Sequence, residues 1–372
     1  IIFLLFTLLL PQNRIYKLSS INNSLSFGRD SNVMRFSNNE INKMDGTPYF
    51  LPPGNISTRF LKYSTKIKIY STKAFLSYIF GNKTNYLISA NYTLNLDHNK
   101  KSNKNFSFKI DQHLGDYKHL YFGYFRMPDF YLREYEDLDV SEILYQIDNN
   151  NTFSFDCFNQ YCEEYANYLE EYEDYIYSIV YSSAIFDLER LSLAYQFPFK
   201  KKYSRLKLGV GYEKQLYNEQ FTEYDLKIKI RFAEFSYNAN KHKVLIYYDG
   251  KNADNFTYQD GLFSTAFMDR SYRENRVKFS ISESFSRKES YGVIADIYHR
   301  KNSSIAEDDK LHYLRKHKDA TISIWYKINN HKFMISHRTR STSSPYQWVE
   351  SLKTFKRYII TYTFTFNKMK FN

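Results

Sequence analysis

Along most of this chain apolar and polar side chains alternate one for one, the period of strands with one apolar and one polar face. Leu61, Tyr63, Ile67 and Ile69 alternate with Lys62, Ser64, Lys66 and Lys68; Tyr86, Ile88, Ala90, Tyr92, Leu94 and Leu96 alternate with Ser89, Asn91, Thr93 and Asn95. The pattern returns in Phe106, Phe108 and Ile110, in Leu206, Leu208, Val210 and Tyr212, in Leu226, Ile228, Ile230 and Phe232, and in Val277, Phe279 and Ile281. It is clearest near the end, where Tyr358, Ile360, Tyr362, Phe364 and Phe366 alternate with Thr361, Thr363, Thr365 and Asn367.

A soluble sandwich alternates too, so the connections decide the class. Short turns at Lys200-Lys201-Lys202-Tyr203, Ala239-Asn240-Lys241, Arg287-Lys288-Glu289 and Asn329-Asn330 alternate with long polar loops near 37–56, 131–186, 251–272, 301–316 and 341–352. Short turns on one side and long loops on the other are the mark of a transmembrane antiparallel up-and-down β-barrel, with the short turns on the periplasmic side. The pattern predicts 14 strands, near 23–36, 57–72, 84–98, 104–113, 117–129, 188–199, 203–216, 223–237, 241–250, 274–286, 289–300, 317–328, 330–340 and 355–367. Ala74–Phe80 and Tyr175–Ile185 read either as extensions or as extra strands, which would make it 16.

Composition agrees with this class. The 372 residues include 37 Tyr and 32 Phe but only 11 Gly and 7 Pro. Flat rings suit pleated strands, and Tyr suits a boundary between lipid and water. Ile1 to Leu10 reads as the apolar core of a signal peptide, too short to span a bilayer as a helix, so residues 1–18 are expected to be a leader and 19–372 a single barrel. The chain starts without Met or a basic leader, as a sequence lacking its first residues would. No later run is apolar enough for a helical span.

The signal-like start, the stretch Leu25-Ser26-Phe27-Gly28-Arg29-Asp30-Ser31-Asn32-Val33 and the aromatic closing strand ending at Phe366 or Phe371 resemble the outer-membrane β-barrel proteins of Gram-negative bacteria. The resemblance implies outer-membrane lipid as surroundings and the barrel-assembly machinery as a partner in biogenesis, with Lys368 and Lys370 interrupting the terminal pattern.

The net charge is +12, yet Tyr131 to Tyr175 holds thirteen Asp or Glu against Arg133 alone, so an acidic loop at about 131–186 is set against a basic body. In the expected register Lys62, Lys66, Lys68, Lys109, Arg205, Lys207, Lys227, Lys229, Arg231, Arg276, Lys278, Arg338 and Arg340 point inward. Fixed cations in a low-dielectric cylinder favour small anionic solutes, the reading of a porin-like channel or binding barrel. The competing reading pairs them with Asp111, Glu213, Asp225 and Asp296 and fills the lumen, leaving function to the outer loops.

Other chemistries have weaker support. The acidic tract lacks D-x-D-x-D-G spacing for Ca²⁺. Cys157 and Cys162 fit a small disulfide in an exported protein better than a metal pair, with no His or second cysteine pair close in sequence. His113 with Asp111, and His299 with Asp296, are candidate catalytic pairs, but no G-x-S-x-G or H-E-x-x-H accompanies them. The expectation is therefore no enzyme, no metal and no cofactor. Nucleic acid is not an expected partner, because the basic residues are spread over many strands rather than gathered beside stacking rings.

Overall fold

The computed structural model describes residues 16–37, 41, 56–72, 75–136, 181–199, 201–218, 224–256 and 269–370. Fourteen strands appear, each antiparallel to its neighbours, and β1 pairs with β14 to close a barrel. They are β1 (Tyr16–Asp30), β2 (Thr58–Ser71), β3 (Thr84–Asn95), β4 (Asn103–Gly115), β5 (Lys118–Glu136), β6 (Tyr181–Phe199), β7 (Lys201–Tyr217), β8 (Leu226–Ala239), β9 (His242–Asn255), β10 (Tyr272–Ser284), β11 (Glu289–Asn302), β12 (Lys316–Ile328), β13 (His331–Ser343) and β14 (Phe355–Lys370). Closure removes the exposed edges that lipid cannot satisfy. The seam holds through the Ser24↔Thr365 to Asp30↔Ile359 register, a 2.9 Å Ser26–Thr363 hydroxyl bond and the Arg357–Asp30 ion pair.

The count is 14 rather than 16, and of the two doubtful segments the second is an extension. Phe75–Phe80 is the short helix α1, and the described part of Tyr175–Ile185 is the start of β6, from Tyr181. A second short helix, α2 (Gln347–Lys353), lies between β13 and β14. The first strand begins at Tyr16, seven residues before its expected start, and ends at Asp30. The leader residues before Tyr16 lie outside the described residues, as do Cys157, Cys162 and the acidic segment between Glu136 and Tyr181.

Four connections within the described residues are tight: 116–117, 240–241, 285–288 and 329–330. Asp116, Tyr117, Asn240 and Asn329 have positive φ, as hairpin turns matched to strand twist require. The β2–β3 connection on this side and the connections on the opposite side are longer, so the barrel has a short-turn rim and a long-loop rim. The longest strands, β5 and β6 at 19 residues each, pair out to Glu136↔Tyr181 and carry the start of the acidic segment toward the long-loop side.

Cross-strand partners share a face, so the register sorts the whole wall. One face carries Phe27, Tyr63, Tyr92, Phe122, Leu193, Leu208, Val210, Ile246, Val277, Phe279, Ile297, Ile324, Ile335 and Ile360, all exposed, and is the outer, lipid-facing surface. Near the short turns it is rich in ring pairs: Tyr195–Phe197, Phe285–Tyr291 and Phe364–Phe366 are stacked and Phe333–Tyr362 is tilted, all 5.0–6.0 Å apart. Such a girdle suits the boundary between hydrocarbon and water.

The inner face is not uniformly polar. On β8 the buried residues are Leu226, Ile228 and Ile230, opposite Gln215, Glu213 and Gly211 of β7. Lys229 and Arg231 stand opposite Tyr212 and Val210, which are exposed on the outside. The expectation that Lys227, Lys229 and Arg231 line the lumen is therefore corrected: all three project outward. The reason is space. Gly209 and Gly211 leave a hollow on the inner side of β7, and Phe232 and Ile230 fill it. Further apolar residues join them, giving one inner cluster of Leu226, Ile228, Ile230, Ala253 and Tyr272 and a second of Ala184, Phe186, Leu188, Tyr217 and Tyr224.

Candidate functional site: the inner wall

Of the cations expected inside, Lys62, Lys66, Lys68, Lys109, Arg205, Lys207, Arg276, Lys278, Arg338 and Arg340 share the inward parity set by the register. Electrostatic reach across the barrel supports the assignment. Lys109 on β4 interacts with Lys66 on β2, Lys207 on β7 and Glu234 on β8, a span that a shared concave face allows.

Four of these ten, Lys207, Arg276, Arg338 and Arg340, are held by carboxylates, as are the inward Lys251, Arg300, Arg190 and Arg357. Arg276 makes a two-pronged contact with Asp296, at 2.7 and 2.5 Å. Asp319, almost fully buried, takes Arg338 at 2.9 Å, Arg340 at 3.1 Å and the Tyr298 hydroxyl at 3.0 Å. Lys251 and Arg300 both hold Glu274, at 2.8 and 2.7 Å. Lys207 holds Glu234 at 3.1 Å, Arg190 pairs with Glu213, and Arg357 with Asp30. These pairs join neighbouring strands, so they fasten the wall as well as neutralise it. Asp225, by contrast, holds no cation of the wall; its carboxylate accepts the Tyr217 backbone N–H at 2.6 Å.

A second group is different. Lys62, Lys66 and Lys68 follow one another on the inner side of β2, and Lys109 faces inward two strands away on β4. None has an acidic partner within 4 Å among the described residues, and Lys66, Lys68 and Lys109 are exposed to solvent from within the barrel. Their cross-strand neighbours are mostly small and polar: Ser26, Asn22, Ser20, Thr93 and Ser89 stand opposite the β2 lysines, while Leu87 stands opposite both Lys68 and Lys109, and Gly123 opposite Lys109. The lumen thus has a wet, cationic quarter on β2–β4 and an apolar, ion-paired remainder. Lys278, whose opposite number Asp296 is engaged by Arg276, adds a further inward ammonium on β10.

The long-loop mouth is narrowed by the chain after β1. Asn32, Val33 and Ser37 are buried there; the Asn32 amide donates to the Phe36 carbonyl at 2.7 Å and to the Lys356 carbonyl at 3.2 Å. Arg35 is half-buried near Arg338, Arg340 and Arg357, and desolvation together with the like charges lowers its proton affinity.

Of the two candidate acid–histidine pairs, one is dismantled. Asp296 faces inward and His299 outward, as residues three apart on a strand must. Asp111 and His113 do share the inner face, and across the β4–β5 turn they are joined by His119, opposite His113. His119 Nδ1 lies 2.7 Å from Asp111 Oδ1, and His113 Nε2 lies 3.9 Å from Asp111 Oδ2. His119 was not singled out in the sequence; the signal was the spacing D-x-H-x5-H around the turn residues Gly115-Asp116-Tyr117. Among the described residues the partners of these imidazoles are Asn85 and Asp111 rather than a Ser, Thr or Cys side chain.

An apolar outer wall, an aromatic girdle at the short-turn rim, a closed strand set and a partly polar lumen together define a transmembrane β-barrel of the outer-membrane type. No family model matches the sequence, and no curated protein does. Among solved structures the chain is similar to the outer membrane channel DcaP of Acinetobacter baumannii, with a TM-score of 0.45, 7% identity and 94% of this chain covering 97% of that one. It is similar also to OccD3 (OpdP) of Pseudomonas aeruginosa (TM-score 0.37, 10% identity, 95% and 92% covered) and to LpxR from Salmonella typhimurium (0.33, 8%, 92% and 99%).

Proposed function

We propose that the barrel is a porin-like passage or binding barrel for small anionic solutes, which travel along the β2–β4 quarter of the lumen. The observation behind this is the file of inward lysines without acidic partners among the described residues, Lys62, Lys66, Lys68 and Lys109, in a wall whose other inward cations are mostly paired. Unpaired ammonium groups beside a low-dielectric wall raise the local concentration of anions, whereas neutralised pairs do not. The same reading places the barrel in outer-membrane lipid and has the closing strand β14 read by the barrel-assembly machinery. The deciding experiment is conductance of the refolded protein in a planar bilayer under a salt gradient. An anion-directed reversal potential that collapses toward zero when the four lysines are changed to Gln supports the reading; steps with unchanged selectivity in that variant overturn it.

A filled barrel acting through its outer loops is the second reading. It is favoured by the two apolar clusters inside the β5–β10 wall and by Asn32, Val33 and Ser37, which are buried at the mouth. Silence in the bilayer from a folded, heat-modifiable protein would select it.

A further inference from the structure

The β4–β5 hairpin gathers three groups with metal-binding atoms on the lumen side of the short-turn rim. Hairpin pairing sets His113 directly opposite His119 and puts Asp111 two residues along on the same face. The two imidazole rings are 4.1 Å apart, and one donor atom from each of the three residues falls within 4.8 Å of the others. His119 is buried, and Asp111 and His113 are partly so. Next to them on β3 is Asn85, also buried; its amide nitrogen is 3.0 Å from His113 Nε2 and 3.3 Å from Asp111 Oδ2. With the amide as donor, His113 Nε2 is the acceptor, unprotonated, and exchanges this hydrogen bond for the metal when an ion binds. The Asn85 Oδ1 atom is buried without a hydrogen-bond partner, so this corner of the wall is polar but incompletely satisfied.

We propose that Asp111, His113 and His119 form a site for a divalent transition-metal ion at the short-turn mouth of the lumen. Two imidazoles and one carboxylate suit Zn²⁺, Cu²⁺ or Ni²⁺ rather than Ca²⁺ or Mg²⁺, which require mostly oxygen ligands. A four-coordinate ion with bonds of about 2.0–2.1 Å holds its ligand atoms about 3.3 Å apart. One ligand atom from each residue lies within 4.8 Å of the others, with His119 Nδ1 2.7 Å from Asp111 Oδ1 and His113 Nε2 3.9 Å from Asp111 Oδ2, so side-chain rotation has to bring one carboxylate oxygen and both imidazoles onto the ion. Three protein ligands leave a fourth position facing the lumen. Lys68 and Lys83 lie within electrostatic reach of His113, so the filled site is cationic, and water or an anionic solute completes it.

The test is Co²⁺ titration of the full chain refolded in detergent, followed by visible absorption, with Zn²⁺ as competitor. One equivalent with the strong absorption of four-coordinate Co²⁺, displaced by Zn²⁺, is expected for the wild type and for His242→Ala, a variant on a distant strand. His113→Ala and His119→Ala, each shown folded by heat-modifiable mobility, should bind about tenfold more weakly or worse. Because a variant can fail to refold, the wild type also undergoes histidine modification with diethyl pyrocarbonate, mapped by mass spectrometry. Zn²⁺ should protect His113 and His119 and leave His242 reactive. Unchanged Co²⁺ affinity in the folded variants, no binding to the wild type, or protection at other histidines alone would overturn the site. These readouts do not depend on whether the barrel conducts.

Discussion

The ring of Phe232 lies over Gly209, its opposite residue on the adjacent strand, so closely that a Cβ built on Gly209 would fall inside the ring's own volume. Phe60 over Gly28 and Trp325 over Gly292 repeat the arrangement, each an inward ring on an inward glycine directly across the ladder. The rings cover backbone that glycine leaves bare, and they pin the register. Gly209→Val should therefore force Phe232 off its seat and cost about 1–3 kcal/mol, the usual range for overpacking. Urea unfolding of the refolded barrel measures it. Combining Gly209→Val with Phe232→Ala should cost less than the sum of the two single changes, since each removes what the other collides with or covers.

The orientation of β8 makes a second prediction. Neutralising Lys227, Lys229 and Arg231 together should leave ion selectivity where it is, because they project from the outer wall, while the four-lysine change inside shifts it. Reversal potentials of both variants under one salt gradient decide this; a shift from the outer three would return β8 to the opposite face.

Asp319 is the shared anion for Arg338 and Arg340 and is almost fully buried. Asp319→Asn leaves two partly shielded guanidinium groups without their counter-charge. Breaking a buried pair by removing one partner typically costs about 3–5 kcal/mol, and solvent in the lumen places this change near the lower figure. The midpoint of denaturant unfolding should fall accordingly. Where folding survives, anion preference should rise, because the wall gains net positive charge.

The connection after β3 supplies a pH prediction. The Arg59 guanidinium and the Arg59 backbone N–H, at 2.9 and 2.8 Å, hold the Asp97 carboxyl down at about 2, below its usual value near 4. A depressed carboxyl stabilises the folded form once ionised, so its contribution is complete above about pH 4 and is lost as pH falls through about 2. Asp97 is well exposed to solvent, so the effect is small and weakens with salt. Carbon-13 titration of the Asp97 carboxyl in micelles should give a midpoint near 2, moving up toward 4 in Arg59→Gln.

Much of the wall was legible because lipid imposes a single requirement on every strand, an apolar side chain at every second position. From β2 onward the expected and observed strands overlap throughout, down to the 355–370 closing strand. Two features escaped for local reasons. At β1 the alternation of Tyr16 to Asn22 is weak, and the apolar Val33 and Phe36 extended the expected strand into residues that instead fold across the mouth. At β8 both faces read alike, since Leu226 to Phe232 could meet lipid or fill a hollow. Only the glycines at 209 and 211 on the facing strand break the tie. The lysine file was readable residue by residue, but its lack of partners was not, because pairing depends on which acids the register brings opposite. His119 joined Asp111 and His113 only through a turn whose positive φ values no period-2 pattern reports.

The outward basic residues of β8 also make the barrel's greasy coat uneven in height. On β7 the outward series Leu206, Leu208, Val210 and Tyr212 is continuous, but on β8 it shrinks to Ala233, Phe235 and Tyr237 before Arg231 interrupts it. Long basic side chains reach up to the polar layer and drag it down around them. A bilayer meeting this side must thin, or the barrel must lean, each at a cost of a fraction of a kcal/mol per ångström. The molecule therefore has a preferred azimuth in its membrane: a low shoulder at β8, where the polar layer dips toward the short-turn rim.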